Sequence, residues 1–339
     1  MTYAILLWPH ANVRYFESMK KLAQAELEVM LAAVAENVEV RPVTMNGLEL
    51  MTFEAPAMDE RMAKLLSMVS CAYAVFEVRG EMLLPLMQGG QLRFGGDLSG
   101  ILKYKGKTNE MFTGMLINLA VFSSDFAGKF DKNLSILDPM CGRGTSLFEG
   151  LRRNYDMTGV EIDKNDVGEL TRFVKKYAEY NHFKHKVESA SMTVDGKNAG
   201  ARTRFTIAES NARWKEDPRT LTVTLGDTLL TDKFYKGRSF HAAVCDLPYG
   251  VQHESRDGKS KVSLDKMMEK ALLSWKKTLF PGAVVALSFN SNTLPLADAR
   301  AMMEKAGYEP LTGGVYDTFG HWVEQAITRD IVLAKYTGK

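Results

Sequence analysis

Apolar positions along the chain change their period repeatedly, and the changes divide it into elements. "YAILLW" near the start is a short unbroken apolar run that predicts a strand. Phe16, Met19, Ala23, Leu27, Met30, Leu31 and Val34 then recur on one helical face. "VEVRPV" and "LELMTF" read as strands on either side of an Asn46-Gly47 turn, followed by a helix near 59–69 and the strand "AYAVFEV". Residues 3–98 thus predict a small α+β unit. The run "QGGQLRFGGDLSG", five glycines in thirteen residues, marks its boundary.

Beyond that boundary Thr108 or Asn109 can cap a helix whose Phe112, Met115, Leu116, Leu119 and Ala120 share a face. That face reads as core. From Leu134 onward β-rich runs alternate with helical ones: "SILD", "MTGVEI", "TLTVTLGD", "HAAVCDLP" and "AVVALSFN". The alternation predicts an α/β fold with a Rossmann-like, mostly parallel sheet and helices on both faces. The last two runs, "GVYDTF" and "AITRDIVLAKY", have no helix between them and predict an antiparallel pair at one edge. The span from Glu161 to Asp227 is about twice what one helix and one strand need with ordinary loops. Its extra material, "KVESASMTVDGKNAGARTRFTIAES", reads as two strands around a glycine-rich turn, a hairpin insertion at about 182–210. The expected organisation is therefore a small domain over 1–98 and a larger one over 99–339.

Composition sets the outer bounds. With 339 residues, 45% hydrophobic and 25% charged, the chain can bury a full core. No apolar run approaches the roughly 20 residues of a membrane span, and "AILLW" lacks the basic flank of a secretory signal, so a cytoplasmic protein without a membrane partner is expected. Three widely spaced cysteines argue against a disulfide framework or a zinc site, and the six histidines show no ligand spacing, so no metal is expected. The net charge of +2 is modest but unevenly placed. Residues 1–98 hold eight Lys/Arg against twelve Asp/Glu, whereas Arg172 to Arg213 hold nine against four. This basic stretch fits a solvated face or a polyanion contact equally well.

The chemistry concentrates at strand ends. In sheets of this kind ligands bind beyond the carboxyl ends of the strands. In "LDPMCGRGT", Asp138 ends a strand, and Gly142 and Gly144 remove side chains where the backbone must turn sharply and a ligand can come close. Glu161 closes the next strand at the distance where an acid meets ribose hydroxyls. A dinucleotide fingerprint would need a third glycine where Leu147 stands, and a P-loop Gly-Lys-Ser/Thr is missing too. An acid at the start of the turn suits a cation better than a phosphate. S-adenosylmethionine, with its ammonium, sulfonium and ribose, fits. Asp227, in "TLGDTL", is placed to accept from an adenine amino group, although Gly-Asp after a strand is also an ordinary turn.

The fourth strand of the series ends in Asp246-Leu247-Pro248-Tyr249. A planar exocyclic nitrogen is nucleophilic only if its hydrogens are held and its lone pair is turned toward the methyl donor. Asp246 and neighbouring carbonyls can hold the hydrogens, Pro248 stiffens the loop, and Tyr249 offers a ring on which a base can stack. Cys141 and Cys245 raise a competing idea, thiol attack on a pyrimidine, but buried cysteines are commonly inert.

With "LKYKGKTNEMF", "LDPMCGRGT", "GVEID", "LGD" and "DLPYG" in that order over about 100–335, the chain resembles the class I S-adenosylmethionine-dependent methyltransferases. Among these it resembles the tRNA guanine-N2 methyltransferases that follow a THUMP-type RNA-binding domain. The resemblance implies cofactor contacts at Asp138, Gly142, Gly144, Glu161 and Asp227, and target-amine positioning by Asp246, Pro248 and Tyr249. It implies an RNA substrate, tRNA foremost, and packing of the helix from Thr108 over the cofactor. N6-adenine methylation of DNA and glutamine methylation of a protein share the same amine-holding logic; a non-catalytic RNA-binding protein that retains the fold is a third reading, against which the intact Asp246 and Tyr249 speak. Two features depart from the family: the first 98 residues are short and acidic, and the hairpin carries Lys184, Lys186, Arg202 and Arg204. The hairpin is accordingly expected to supply part of the RNA-binding surface.

Overall fold

The structure is a computed structural model that describes residues 1–9, 13–36, 38–90, 92–102, 107–247, 264–324 and 327–338. The first unit contains β1 (Thr2–Leu7), α1 (Val13–Leu31), β2 (Arg41–Met45), β3 (Leu48–Glu54), α2 (Glu60–Met68), β4 (Ala72–Arg79), β5 (Met82–Gln88) and the short α3 (Asp97–Gly100). Its strands form an antiparallel sheet in the order β2-β3-β1-β4-β5. The β2–β3 turn is made by Asn46 and Gly47, both at positive φ (51° and 80°), the conformation a two-residue hairpin demands. The sequence pattern does not single out β5. Pro85 interrupts its apolar run, and a proline is accommodated because β5 is an edge strand.

The second unit runs α4 (Glu110–Phe122), β6 (Ser135–Asp138), α5 (Thr145–Arg152), β7 (Asp156–Glu161), α6 (Lys164–Tyr180), β8 (Lys184–Val194), β9 (Lys197–Ala208), α7 (Asn211–Glu216), β10 (Arg219–Leu225), α8 (Thr231–Phe234), β11 (Phe240–Asp246), α9 (Leu264–Lys276), β12 (Leu279–Asn290), α10 (Leu296–Lys305), β13 (Glu309–Pro310), β14 (His321–Glu324) and β15 (Ile327–Lys335). Its sheet has the order β13-β15-β12-β11-β6-β7-β10-β9-β8, with β14 also on β15. The five central strands are parallel, and both flanks are antiparallel. The fold is the Rossmann-like arrangement expected from the sequence. The chain enters at β6, moves outward to β7 and β10, then crosses to β11 and β12 on the other side. The switch point therefore lies between the carboxyl ends of β6 and β11, where such sheets open a crevice.

Two flanks differ from expectation. "GVYDTF" is not a strand: Gly313 and Gly314 take φ of 83° and 56°, and Gly314–Asp317 coil into a 3-10 turn. The antiparallel neighbours of β15 are instead β12, β13 and β14. The insertion does form a hairpin around Asp195 and Gly196 (φ 49° and 75°), but it does not stand apart, since β9 pairs with β10 from Arg219 to Leu225 and extends the sheet.

The glycine-rich boundary segment is anchored. Phe94 is buried, and Arg93 donates to Glu209, Asn154 and the Asp217 carbonyl at 2.6–2.9 Å. One apolar cluster runs from Tyr3 and Leu27 through Leu116 and Leu119 to Ile136, Met157 and Leu221, so the two units share a core. A second cluster lies on the other face of the large sheet, around Leu137, Trp275 and Leu287.

Within the shared core runs a polar chain. Glu26, fully buried, accepts from Asn118 Nδ2 (2.6 Å) and from the Ser70 hydroxyl (2.6 Å). Asn118 Oδ1 accepts from Arg153 Nε (3.1 Å), and Arg153 pairs with the buried Glu149. Burial pushes the Glu26 carboxyl above its ordinary range, opposed by these hydrogen bonds. Glu26→Ala would leave one Asn118 amide hydrogen buried without an acceptor, the other being held by the Met68 carbonyl, and would take the acceptor from the half-buried Ser70; it is expected to lower unfolding free energy by about 3 kcal/mol in a urea titration. A loss below about 0.5 kcal/mol would mean that the chain is energetically idle.

Candidate active site

β6 delivers Asp138 to the switch point, and the turn that follows is fixed by backbone bonds. Cys141 N–H donates to the Val160 carbonyl (3.0 Å) and Gly144 N–H to the Cys141 carbonyl (2.8 Å), which ties the turn to β7. Gly142 and Gly144 sit at φ 51° and 86°, where side chains are disfavoured. A Cβ on Gly144 would lie 2.6 Å from Leu170 Cδ1, so that glycine serves packing. At Gly142 a Cβ would meet nothing within 4 Å: this glycine leaves open space beside the backbone.

Asp138 is 4% exposed and bonds the Ser146 hydroxyl and the Met140 N–H (3.0 Å). Burial raises its carboxyl to about 7, with the nearby charges of Glu161 and Asp246 adding to the rise. An acid in that state is half ionised near neutrality, and a cation brought against it would be held by a charge that the protein alone leaves poorly compensated.

Asp246 ends β11 on the other side of the switch point. Its Oδ2 accepts from Thr108 Oγ1 at 2.5 Å and lies 3.9 Å from Arg329 Nη2, reaching across from β15. The Arg329 guanidinium lies over the Phe112 ring at 4.3 Å, and the His321 ring is 5.4 Å from the same phenyl group. Burial lowers His321 to about 4, so this imidazole is neutral at physiological pH.

Asp138, Gly142 and Asp246 line one cavity of about 360 Å³, together with Thr108, Phe112 and Met140. This lies within the usual size of a small-ligand pocket. Glu161 and Asp227 end their strands at the same edge but are not in that lining. Glu161 accepts Gly142 N–H (2.9 Å) and Asp163 N–H (2.7 Å), bracing the glycine turn, and burial raises its carboxyl. Asp227 accepts Leu229 N–H (2.9 Å) and caps a 3-10 turn. Pro248 and Tyr249 lie outside the described residues, as do 103–106 of "LKYKGKTNEMF".

Sequence reasoning missed Arg329 and His321. A charged or imidazole side chain on a C-terminal strand carries no mark of what it faces; their burial is the signal, and it needs coordinates. Thr108 was visible only as a helix cap. Asn109 takes that role, accepting Met111 and Phe112 N–H, which leaves Thr108 to bond Asp246. Burial pushes the thiols of Cys141 and Cys245 well up, away from the nucleophilic thiolate. Among the described residues no group of three His, Cys, Asp or Glu side chains could hold a metal ion, and no helix is long and apolar enough to cross a membrane.

No protein-family model matches this chain, and no curated protein matches its sequence. Several solved structures are similar in shape. TrmN from Thermus thermophilus is 11% identical, with 99% of this chain and 100% of that one covered and a TM-score of 0.44. The rRNA methyltransferase aviRa from Streptomyces viridochromogenes is 14% identical over 71% and 90%, with a TM-score of 0.40. A TehB-like SAM-dependent methyltransferase from Corynebacterium glutamicum is 14% identical over 61% and 82%, with a TM-score of 0.34. By its own strand order, the larger unit of this protein is a Rossmann-like α/β domain with an acid-lined crevice at the switch point.

Proposed function

We propose that this protein is an S-adenosylmethionine-dependent N-methyltransferase acting on an exocyclic amino group of a nucleobase in RNA, guanine N2 of tRNA being the specific target. The observation that carries the reading is the convergence of Asp138, Gly142 and Asp246 on one cavity at the switch point. The residues fit the cofactor on a physical ground: burial and two neighbouring carboxyls, Glu161 and Asp246, leave Asp138 short of positive charge, and S-adenosylmethionine brings an ammonium and a sulfonium. Bound there, it would supply an electrophilic methyl group.

In this reading Asp138 holds the ammonium, and Gly142 allows close backbone approach. Glu161 fixes the turn through Gly142 and meets the ribose, while Gly144 sets the helix start. Asp227 stands at the adenine side. Asp246, held by Thr108 and Arg329, accepts the hydrogens of the target amine and turns its lone pair toward the methyl, with Pro248 and Tyr249 shaping and stacking the base. No covalent protein intermediate is needed, because alignment and oriented polar groups carry the rate.

The test is to incubate the protein with methyl-labelled cofactor and, separately, tRNA, rRNA, DNA and cell extract, then digest and identify the modified unit. Label in N2-methylguanosine of tRNA is the expected result. Label in DNA adenine or protein glutamine would move the substrate while keeping the chemistry, and no label in any pool would contradict an enzyme.

A further inference from the structure

β7 and β10 bury one face under α5 and α6, where Met157, Leu221 and Val223 join the core, and Phe205 of β9, opposite Leu221, joins it from the same face. The alternate residues point the other way and are polar: Thr158 on β7, Thr220 and Thr222 on β10, Arg202 and Arg204 on β9. Apart from the buried Val160 on β7, this part of the sheet's second face is thus polar. Among the described residues, contacts to that face come chiefly from the four-residue α8 and Tyr235 at the Thr224 end, where Tyr235 Oη bonds Thr224 Oγ1 (2.7 Å). Toward the amino ends of the strands lies a groove of about 280 Å³, walled by Ser135, Thr158, Thr222, Arg202, Arg204 and Ser239.

The charge of the groove is positive where it is exposed. Arg202 is fixed, donating to the Phe234 carbonyl (2.6 Å) and lying over the Tyr235 ring at 4.5 Å. Arg204 is exposed beside it, opposite Glu188, and Glu188 is paired with Lys186 at 2.8 Å. The carboxylate in the wall, Asp156, accepts Thr220 N–H (2.7 Å) and lies 3.9 Å from Arg219. Lys236 and Arg238, both exposed, sit in the loop between Tyr235 and Ser239 at the rim.

We propose that this groove binds the sugar–phosphate backbone of the RNA substrate, remote from the reacting base. The inference rests on the RNA reading above and adds a second contact surface to it. Guanidinium groups with neighbouring hydroxyls match phosphate oxygens in both charge and donor geometry. The groove offers no stacking shelf, since Arg202 covers Tyr235, so it contacts backbone and reads no base. The groove sits at the amino ends of the parallel strands, with Ser135 opening β6, Asp156 opening β7 and Thr220 near the start of β10, so it lies about one strand length, roughly 20 Å, from the carboxyl edge that holds the active-site cavity. On this proposal the surface is the sheet face of β9, which carries Arg204 of the hairpin, with the adjoining loop, and Arg202 is a brace that holds the Phe234 carbonyl.

The experiment uses the full chain, end-labelled unfractionated tRNA and fluorescence anisotropy from 50 to 200 mM KCl. The double variant Arg204→Gln/Arg238→Gln is expected to weaken binding about tenfold at 100 mM salt and to flatten the slope of log K against log[salt] by about 2, one per lost phosphate contact. Arg172→Gln, on α6 across the sheet, should leave the slope unchanged, and S-adenosylmethionine affinity should stay the same in both variants. An unaltered slope in the double variant, or an equal loss in Arg172→Gln, overturns the groove. If the wild type methylates RNA and only the slope result fails, the groove falls and the enzymatic reading stands. If the slope changes as stated but no pool is methylated, the groove stands and the enzymatic reading falls. A wild type that binds no RNA overturns the groove outright.

Discussion

Asp246→Ala is expected to lower the methyl-transfer rate by roughly 100- to 1,000-fold, the usual cost of removing one preorganised polar group at a reacting centre. Cofactor affinity should stay within about twofold, a difference worth under 0.5 kcal/mol. The asymmetry follows from position. Asp246 closes β11 and is held from two sides, by the Thr108 hydroxyl and by Arg329 at 3.9 Å, so its carboxylate is oriented before any substrate arrives. Asp246→Asn separates geometry from charge, since it keeps one acceptor but replaces the other with a donor that opposes the amine hydrogens. Single-turnover rates alongside cofactor titrations distinguish the cases. Loss of rate and of cofactor binding in equal measure would remove Asp246 from its assigned role.

The second large effect concerns Asp138 and pH. Burial holds its carboxyl at about 7, against roughly 3.9 for an exposed aspartate. In the free protein the native state then binds the proton more tightly than the unfolded chain. The carboxyl's contribution to stability is present in full below about pH 4 and is lost as pH rises through 7. A cationic ligand reverses the preference, because it favours the ionised form. Cofactor affinity should therefore rise about tenfold from pH 6 to pH 8 and then level off, with proton uptake by buffer at the lower pH. Asp138→Asn should flatten this dependence and weaken binding by roughly 30-fold or more, the lower end for losing one partner of a buried charge pair. Titration calorimetry in two buffers of different ionisation enthalpy measures both quantities. An affinity independent of pH in the wild type would mean that Asp138 does not face the ammonium.

How much of this could be read before the coordinates depended on whether a residue's meaning is local. The glycine turn was legible because a tight strand-to-helix corner needs positive φ, which Gly142 and Gly144 supply in place. The parallel core was legible from the alternation of β-rich and helical runs, four of its five strands carrying an acid at or just beyond the end. By contrast, β5 was hidden by Pro85, whose tolerance depends on which strand is at the edge. "GVYDTF" carries strand-forming residues, but Gly313 and its own first residue, Gly314, break the extended chain. Glu161 was recognised as a strand-end acid, yet its bond to Gly142 N–H depends on how β7 meets the turn. Arg329 lies 83 positions beyond Asp246, and only the pairing of β15 beside β12 brings them together. That β9 of the hairpin insertion continues the sheet leaves no mark in the sequence, because it depends on pairing with β10.

The account depends on a sulfonium nucleoside occupying the crevice between β6 and β11. Titrating the wild-type protein with S-adenosylhomocysteine in a calorimeter tests this directly, free of any assumption about the methyl acceptor. Saturable heat with one site per chain, at micromolar affinity or tighter, is the predicted outcome. A titration showing only heat of dilution up to millimolar ligand would contradict it.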